Sequence, residues 1–424
     1  MNLAALSQTL AAFLKAKRRA NRARDRQSLE ALQARLLMAF LQGPAADVPA
    51  FAAFRGQPLA QWPVMDKAAL MAGFEAYNRL GMTAAEGWAH LAAGTAPTGY
   101  SVGASTGTSG NRGLYIVSEA ERYRWLGVML ARALPDVLRT RHRVAVVLPA
   151  SSRLYDAANE SGRLRLKFFD LARGIDAQFA PLAEFDPSVI VAPPKFLRAL
   201  AESGTPVSPV RIFSGAEVLD DEDRRIIEAR FGITLREIYM ATEGLLGISC
   251  DKGMLHLLED HIAFEFEPVD AERGLVTPLI TDFSRRTQVM IRYRMNDILE
   301  LSPEPCACGL PHQAVRRVHG RCDDIFELAG RDGSSVRVTP DVIRNAVVRA
   351  DPSIHDFRVV RQDASNVRLI LPLEAAGALE AARNGLAKLF GEAGAIVEVT
   401  ASAETLLPPT DHKLRRVMAG KPAS

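Results

Sequence analysis

Apolar positions in roughly the first 95 residues recur at helical spacing, and the pattern breaks at Gly43-Pro44, Pro58 and Pro63, where glycine and proline punctuate the chain. A mainly helical N-terminal region is expected. Near residue 100 the grain changes. A loop rich in glycine and hydroxyls precedes a helix predicted over Ser118 to Leu134, in which Ser118 and Glu121 are spaced as a capping box. Val144 to Leu148 is then a short apolar run of the kind that forms a buried strand. The alternation continues with strand Val189 to Ala192, helix Lys195 to Glu202, strand Val210 to Phe213, helix Asp221 to Phe231 and strand Leu235 to Tyr239. Strands alternating with helices predict an α/β fold with a parallel sheet covered on both faces. Beyond about residue 260 the strands crowd together as in a mixed β region. At Gly320 a fresh strand, helix (Pro340 to Arg349) and strand series begins. The expected organisation is a large N-terminal domain over 1–319 and a small α+β C-terminal domain over 320–424.

Composition narrows the class. The 424 residues are 48% hydrophobic and 24% charged, the balance of a globular protein. A net charge of +3 is too slight to argue for nucleic acid by bulk electrostatics. One local run stands out: Lys15, Lys17, Arg18, Arg19, Arg22, Arg24 and Arg26, relieved only by Asp25, in a helical segment beside Leu14 and Leu29. Such a run serves as a solvated helix face, or touches a membrane surface or a partner. The start of the chain has no basic residues ahead of its apolar run, unlike a secretory signal, and no uninterrupted apolar stretch of about 18 residues occurs. A cytoplasmic protein without a membrane span is expected.

Six segments carry candidate chemistry. Ser105, Thr106, Gly107, Thr108, Ser109 and Gly110 supply hydroxyls and free backbone N–H groups for phosphate oxygens, and Arg112 adds a charged donor. The glycine spacing is not that of a Walker loop. Ser214-Gly215-Ala216-Glu217 and Tyr239-Met240-Ala241-Thr242-Glu243-Gly244 each follow a predicted strand, at the end where open α/β sheets place ligands. Glu243 is a candidate Mg²⁺ ligand. Asp297, in Ile291 to Asp297, suits a pair of ribose hydroxyls, and Gly320-Arg321-Cys322-Asp323-Asp324 follows. Lastly, Pro408 to Val417 holds Lys413, in a chain where lysine is scarce among the 52 basic residues.

In order and rough spacing these segments resemble the adenylate-forming superfamily of acyl-CoA synthetases, most closely its phenylacetate-CoA ligase branch and the relatives of synthetases that adenylylate a deazaflavin coenzyme. The likeness runs from Trp62-Pro63-Val64-Met65-Asp66-Lys67 to about residue 417. It implies ATP-dependent adenylation of a carboxylic acid, aryl or acyl, with release of pyrophosphate. Transfer to the thiol of coenzyme A or an acyl carrier protein would follow. Ser105 to Gly110 would handle pyrophosphate, Gly215, Ala216 and Glu217 would line the adenine site, and Tyr239 would flank the base. Thr242 would meet phosphate, Glu243 would bind Mg²⁺, Asp297 would hold the ribose with help from Arg321, and Asp323 would sit at a hinge. Lys413 would enter the active site for adenylation. Three positions depart from the family pattern: Arg112 replaces a lysine, Met295-Asn296 replaces Thr-Gly, and His412 replaces a glycine. They put the second half-reaction in question. A nucleotidyltransferase that stops at adenylylation, and a weakened nucleotide-binding protein, are the alternatives.

Cys250, His256, Cys306 and Cys308 offer three thiolates and an imidazole, the donor set of a structural Zn²⁺ site, and match a metal-ligand set in some of these relatives. Cys306 and Cys308 are closer in sequence than the usual Cys-x₂-Cys, and Cys250 also suits a small buried apolar position. An apolar or aromatic acid pocket is expected around Tyr123, Trp125, Leu126, Phe168, Phe169 and Phe213.

Overall fold

The computed structural model describes residues 3–105, 112–148, 163–351, 353–406 and 415–420. The chain divides into two compact units. The first comprises 1–267, 278–295 and 301–317, and the second 268–277, 296–300 and 318–424.

The first unit opens with α1 (Leu3–Arg22) and α2 (Arg26–Gln42). Asp25 caps α2 by accepting from the Ser28 N–H at 2.8 Å, and Ser28 returns the bond. Short 3-10 turns follow the prolines of 44–63, then α3 (Lys67–Ala72) and α4 (Ala84–Ala92). The helical N-terminal region is therefore as the periodicity indicated. Two strands missed in the sequence, β1 (Tyr100–Ala104) and β2 (Leu114–Ser118), form an antiparallel hairpin whose connection is the hydroxyl-rich loop. Ser118 caps α5 (Glu119–Ala133) in the expected capping box with Glu121.

Next come β3 (His142–Leu148), β4 (Leu164–Asp170), α6 (Phe179–Phe185), β5 (Val189–Ala192), α7 (Pro194–Glu202), β6 (Arg211–Gly215), α8 (Asp221–Phe231) and β7 (Leu235–Ala241). Strands β4, β3, β5, β6 and β7 lie side by side in that order, all parallel. Beyond β7, β8 (Gly244–Ser249) and β9 (Leu255–Leu257) add antiparallel. Side chains sort by pleat: Ala145 and Val147 of β3 join Phe196, Leu197 and Ile227 under α7 and α8, while Val144 and Val146 join Phe13 and Leu126 under α1 and α5. Both faces are covered, which explains why these strands read as unbroken apolar runs. Phe169 and Phe213 are core residues on opposite faces, so the two do not line one pocket as expected.

The mixed region holds β10 (Ile262–Asp270), β11 (Leu275–Asp282), β12 (Tyr293–Arg294), β13 (Asp297–Leu301) and β14 (Ala314–Arg321). In the second unit, β15 (Phe326–Ala329) pairs with β16 (Ser335–Val338). A four-stranded sheet of β17 (Arg358–Arg361), β18 (Asn366–Pro372), β19 (Glu398–Glu404) and β20 (Val417–Met418) shares one core with α9 (Pro340–Val348) and α10 (Leu379–Glu392).

Helix α1 reaches its neighbour through a glycine. A Cβ on Gly127 of α5 would fall 2.5 Å from the Thr9 carbonyl oxygen and 2.8 Å from the Phe13 nitrogen, both backbone atoms that cannot swing aside. Gly127→Val is expected to destabilise the first unit by about 1–3 kcal/mol, the cost of an overpacked contact. Urea denaturation measures it, and wild-type stability would contradict the close approach.

Candidate active site

The parallel strands bring two of the candidate segments together. β6 ends at Gly215 and β7 runs on past it, with Gly215 paired to Ile238. Ala216 takes a left-handed backbone, φ 69°, as the chain turns off the sheet. That conformation is unfavourable for a residue with a Cβ and marks a turn held by its surroundings. A Cβ on Gly215 would rest in ordinary van der Waals contact with Ile238, 3.5 Å from its carbonyl oxygen, so no crowding by the protein itself calls for glycine there. One strand over, Thr242 and Glu243 form the turn between β7 and β8. The β7–β8 register slips between Tyr239, opposite Gly247, and Met240, opposite Leu245. Such a bulge re-aims side chains at a strand end. Gly215, Ala216, Glu217, Tyr239, Thr242 and Glu243, all half-buried, thus share the carboxyl edge of two adjacent strands.

The segment 284–288, with Arg285, Thr287 and Gln288 buried, ties this edge to the hydroxyl-rich loop. Arg285 donates through Nη1 to the carbonyls of Thr242 (3.3 Å) and Glu243 (3.0 Å), and through Nη2 to Gln288 Oε1 (3.1 Å). Gln288 in turn accepts from the Ile116 N–H at 3.2 Å and donates to the Leu114 carbonyl at 3.3 Å, gripping β2 just past the loop. Glu121 secures the same segment by accepting from the Arg286 and Thr287 N–H groups and from Thr287 Oγ1. Burial works against its charge, but these hydrogen bonds prevail and hold the carboxyl below its ordinary value. Nothing in the local pattern marked Arg285, Gln288 or Glu121 for this work beyond the capping box.

The loop neck is defined although Thr106, Gly107, Thr108, Ser109 and Gly110 lie outside the described residues. Ser105 accepts through Oγ from the Gly113 N–H at 2.8 Å and donates its own N–H to the Gly113 carbonyl at 2.8 Å. Arg112 donates to the Ser105 carbonyl at 3.3 Å and lies over the Trp88 ring, 5.3 Å from its centroid. A Cβ on Gly113 would stand 3.4 Å from the Lys67 stem, placing that lysine at the neck as well.

On the other side of Glu243 stands Tyr293. Burial first, and then the charge and hydrogen bond of Glu243, push its phenol far above the usual range, so it remains a neutral donor to that carboxylate. Met65 bridges to Tyr293, and Asp66 adds negative charge near the same hydroxyl while capping α3 through the Ala69 N–H at 2.8 Å. Asp282, wholly buried, approaches Gly244 to 3.3 Å of where a Cβ would be; burial raises its carboxyl, with Ser284 and Arg285 opposing.

Asp297, Arg321 and Asp323 belong to the second unit. Asn296 joins their two segments: its Nδ2 donates to Asp323 Oδ2 at 2.5 Å, its Oδ1 accepts from the Asp323 N–H at 3.2 Å, and its carbonyl accepts from the Cys322 N–H at 2.7 Å. Arg415 pairs with Asp324, securing the chain shortly after Lys413, which lies outside the described residues.

Cys250, His256, Cys306 and Cys308 converge in the first unit, their ligand atoms all within 4.8 Å of one another. Cys250 Sγ lies 3.9 Å from Cys306 Sγ, and Cys308 Sγ 3.3 Å from His256 Nε2. Ligands about 2.0–2.3 Å from a tetrahedral zinc stand roughly 3.5–3.8 Å apart, so the spacing fits. His256 Nδ1 faces the His312 carbonyl at 3.1 Å, which fixes the tautomer that leaves Nε2 bare. Burial, followed by crowding from Cys306 and Cys250, pushes the Cys308 thiol up to about 12.

No protein-family model matches the chain. It is 26% identical to the phenylacetate-coenzyme A ligase of Pseudomonas putida over 218 residues (47% of this chain, 48% of that protein) and 26% to that of Thermus thermophilus over 288 (57% and 62%). The chain thus spans about half to three fifths of the curated relatives it matches. Among solved structures, 2-hydroxyisobutyryl-CoA ligase in its postadenylation state superposes with a TM-score of 0.68 over 93% of this chain and 91% of that one, at 18% identity. The fold is that of the adenylate-forming ligases, and in sequence the chain is similar to their phenylacetate-CoA ligase branch. The same fold extends to the acyl acid amido synthetase GH3.15, with a TM-score of 0.54 at 12% identity. In this adenylate-forming fold the Thr242–Glu243 turn is held from beneath by one guanidinium. Arg285→Met strips two carbonyls of their donor and Asp282 of a cation that opposes the effect of its burial, and is expected to cost about 3 kcal/mol or more. Chemical denaturation measures the loss; a variant as stable as wild type would remove Arg285 from this role.

Proposed function

We propose that the protein activates a carboxylic acid with ATP, releasing pyrophosphate, and passes the acyl group from the acyl-adenylate to a thiol. The observation that carries this reading is the carboxyl edge of β6 and β7, where Gly215 to Glu217 and Tyr239 to Glu243 are tied through Arg285 and Gln288 to the neck of the Ser105 to Gly110 loop. In the first step a carboxylate oxygen bonds to the α-phosphorus and the bond to pyrophosphate breaks. Anion meets anion, so rate comes from positioning and from neutralising charge. Ser105, the loop and Arg112 would hold the phosphates, Thr242 would donate to them, and Glu243, kept in place by the Tyr293 hydroxyl, would hold Mg²⁺, whose charge offsets that of the triphosphate. Gly215, Ala216 and Glu217, with Tyr239 on the adjacent strand, would line the adenine ring. Asp297 and Arg321 would hold the ribose. Residues 320–424 would act as a mobile domain that brings Lys413 to the transferred group, with Asp323 at its hinge. In the second step a thiolate attacks the acyl carbon and AMP departs. Coenzyme A is the favoured acceptor, because the relatives are coenzyme A ligases by name and a 2-hydroxyisobutyryl-CoA ligase is known in complex with both its acyl-AMP and CoA.

Pyrophosphate exchange into ATP, screened over aryl, hydroxy and fatty acids, tests the reading. Lys413→Ala and Glu243→Gln are each expected to lower exchange by about 10²-fold or more while the fold persists. Exchange with no acid at all, or exchange unchanged in both variants, would overturn it.

The four-ligand cluster is proposed as a structural Zn²⁺ site. Purified protein is expected to carry one zinc per chain by metal analysis. Cys306→Ser with Cys308→Ser should abolish zinc retention and lower the melting temperature; metal-free wild-type protein of full stability would refute the assignment.

A further inference from the structure

Helix α1 buries one face in the fold and presents the other two largely to solvent, with Lys17 and Arg19 reaching back to the Pro135 and Asp260 carbonyls. Ala5, Thr9, Phe13 and Ala16, spaced four, four and three residues apart, are buried, and α1 packs on α5 at Gly127. Leu3, Leu6, Leu10 and Leu14, spaced three, four and four, form a second stripe roughly a third of a turn away, given 100° per residue. These leucines are 87%, 44%, 39% and 40% exposed, four of the twelve large apolar side chains that stand out among the described residues. The third face carries Lys15, Arg18 and Arg22, all exposed. The helix has no acidic residue to balance them. Positive charge also accumulates alongside: partial burial, then Arg19, Arg124 and Arg286, lower the Lys15 ammonium from its ordinary value.

We propose that α1 is a docking surface for an anionic lipid bilayer, lying in the headgroup plane with its leucine stripe in the acyl boundary and Lys15, Arg18 and Arg22 on lipid phosphates. Charge complementarity chooses this occupant: an exposed leucine row continuous with uncompensated cations is the pattern of an interfacial helix. No described helix is long and apolar enough to cross a membrane, so the contact is with a surface. Because α5 fixes the inner face, the helix is prepared in advance and needs no folding on contact. The proposal is independent of the adenylation reading.

Co-sedimentation of the full-length protein with phosphatidylcholine vesicles, and with vesicles containing about one-third phosphatidylserine, tests it. Binding is expected to the anionic vesicles only and to weaken with salt. Leu10→Glu with Leu14→Glu, and separately Arg18→Glu with Arg22→Glu, should each lower it about tenfold or more, on the scale of about fivefold per basic residue near an anionic surface. An unchanged melting temperature in both variants shows that the fold is intact; should either be destabilised, Leu10→Gln with Leu14→Gln and Arg18→Gln with Arg22→Gln replace them. Equal binding to both vesicle types, no binding at low salt, or variants that bind like wild type would overturn the proposal. So would a concentration-dependent dimer that the leucine substitutions dissolve while vesicle binding persists, since the occupant would then be a second copy of the chain.

Discussion

The arrangement at the end of the sheet depends on a buried guanidinium reaching two carbonyls. Arg285 is buried, and by holding the Thr242 and Glu243 carbonyls it fixes the turn that joins the paired ends of β7 and β8 at Ala241 and Gly244. A charge removed from water is tolerated where acceptors and opposite charge meet it, and here Gln288 accepts from Nη2 while the buried Asp282 supplies opposing charge. The same requirement draws in Gln288, and through Gln288 the hairpin of β1 and β2. The loop neck and the Glu243 turn come from chain segments well over a hundred residues apart, yet share one polar network whose members cannot move singly without leaving a buried group unpaired.

The sequence disclosed the parts of the fold that are buried on both faces, and it disclosed them for that reason. Val144 to Leu148 and Val189 to Ala192 are unbroken apolar runs because helices cover the sheet above and below. β4 was hidden by Arg165 and Lys167, whose charges suit the outer edge of a sheet, with β3 the neighbour on its inner side. β1 was hidden by Ser101 and Gly103, which resemble a loop until the hairpin register aligns them with β2. At the candidate site, the residues at strand ends were legible as motifs. Their supports were not. Arg285, Gln288 and Tyr293 act across distances that only the fold closes, and no local pattern distinguishes such residues from ordinary polar ones.

Asn296 illustrates a departure that becomes intelligible in place. As a substitute for glycine it reads as a loss. In the folded chain its amide gives and takes a hydrogen bond with Asp323 and its carbonyl holds Cys322, so the segment of the ribose-acid candidate is clipped to the segment of the hinge candidate within one unit. A side chain able to donate and accept can make that clip; a glycine cannot.

The metal-type cluster connects to the same turn by covalent geometry. β8 is six residues long, with Glu243 just before it and Cys250 just after. At about 3.3 Å per residue the two ends stand roughly 20 Å apart, joined by a strand paired on both edges. Gly247 lies so close to β9 that a Cβ would fall 2.8 Å from the His256 carbonyl, and His256 belongs to the cluster. A cation held by Cys250, His256, Cys306 and Cys308 would therefore fix the far end of the strand that begins at Glu243, and would do so without touching a nucleotide. On the opposite edge the β7–β8 bulge already offsets the register, so the aim of Glu243 depends on where β8 is anchored at its other end. Through that dependence an ion in the cluster would act on the aim of Glu243 from the far end of the strand.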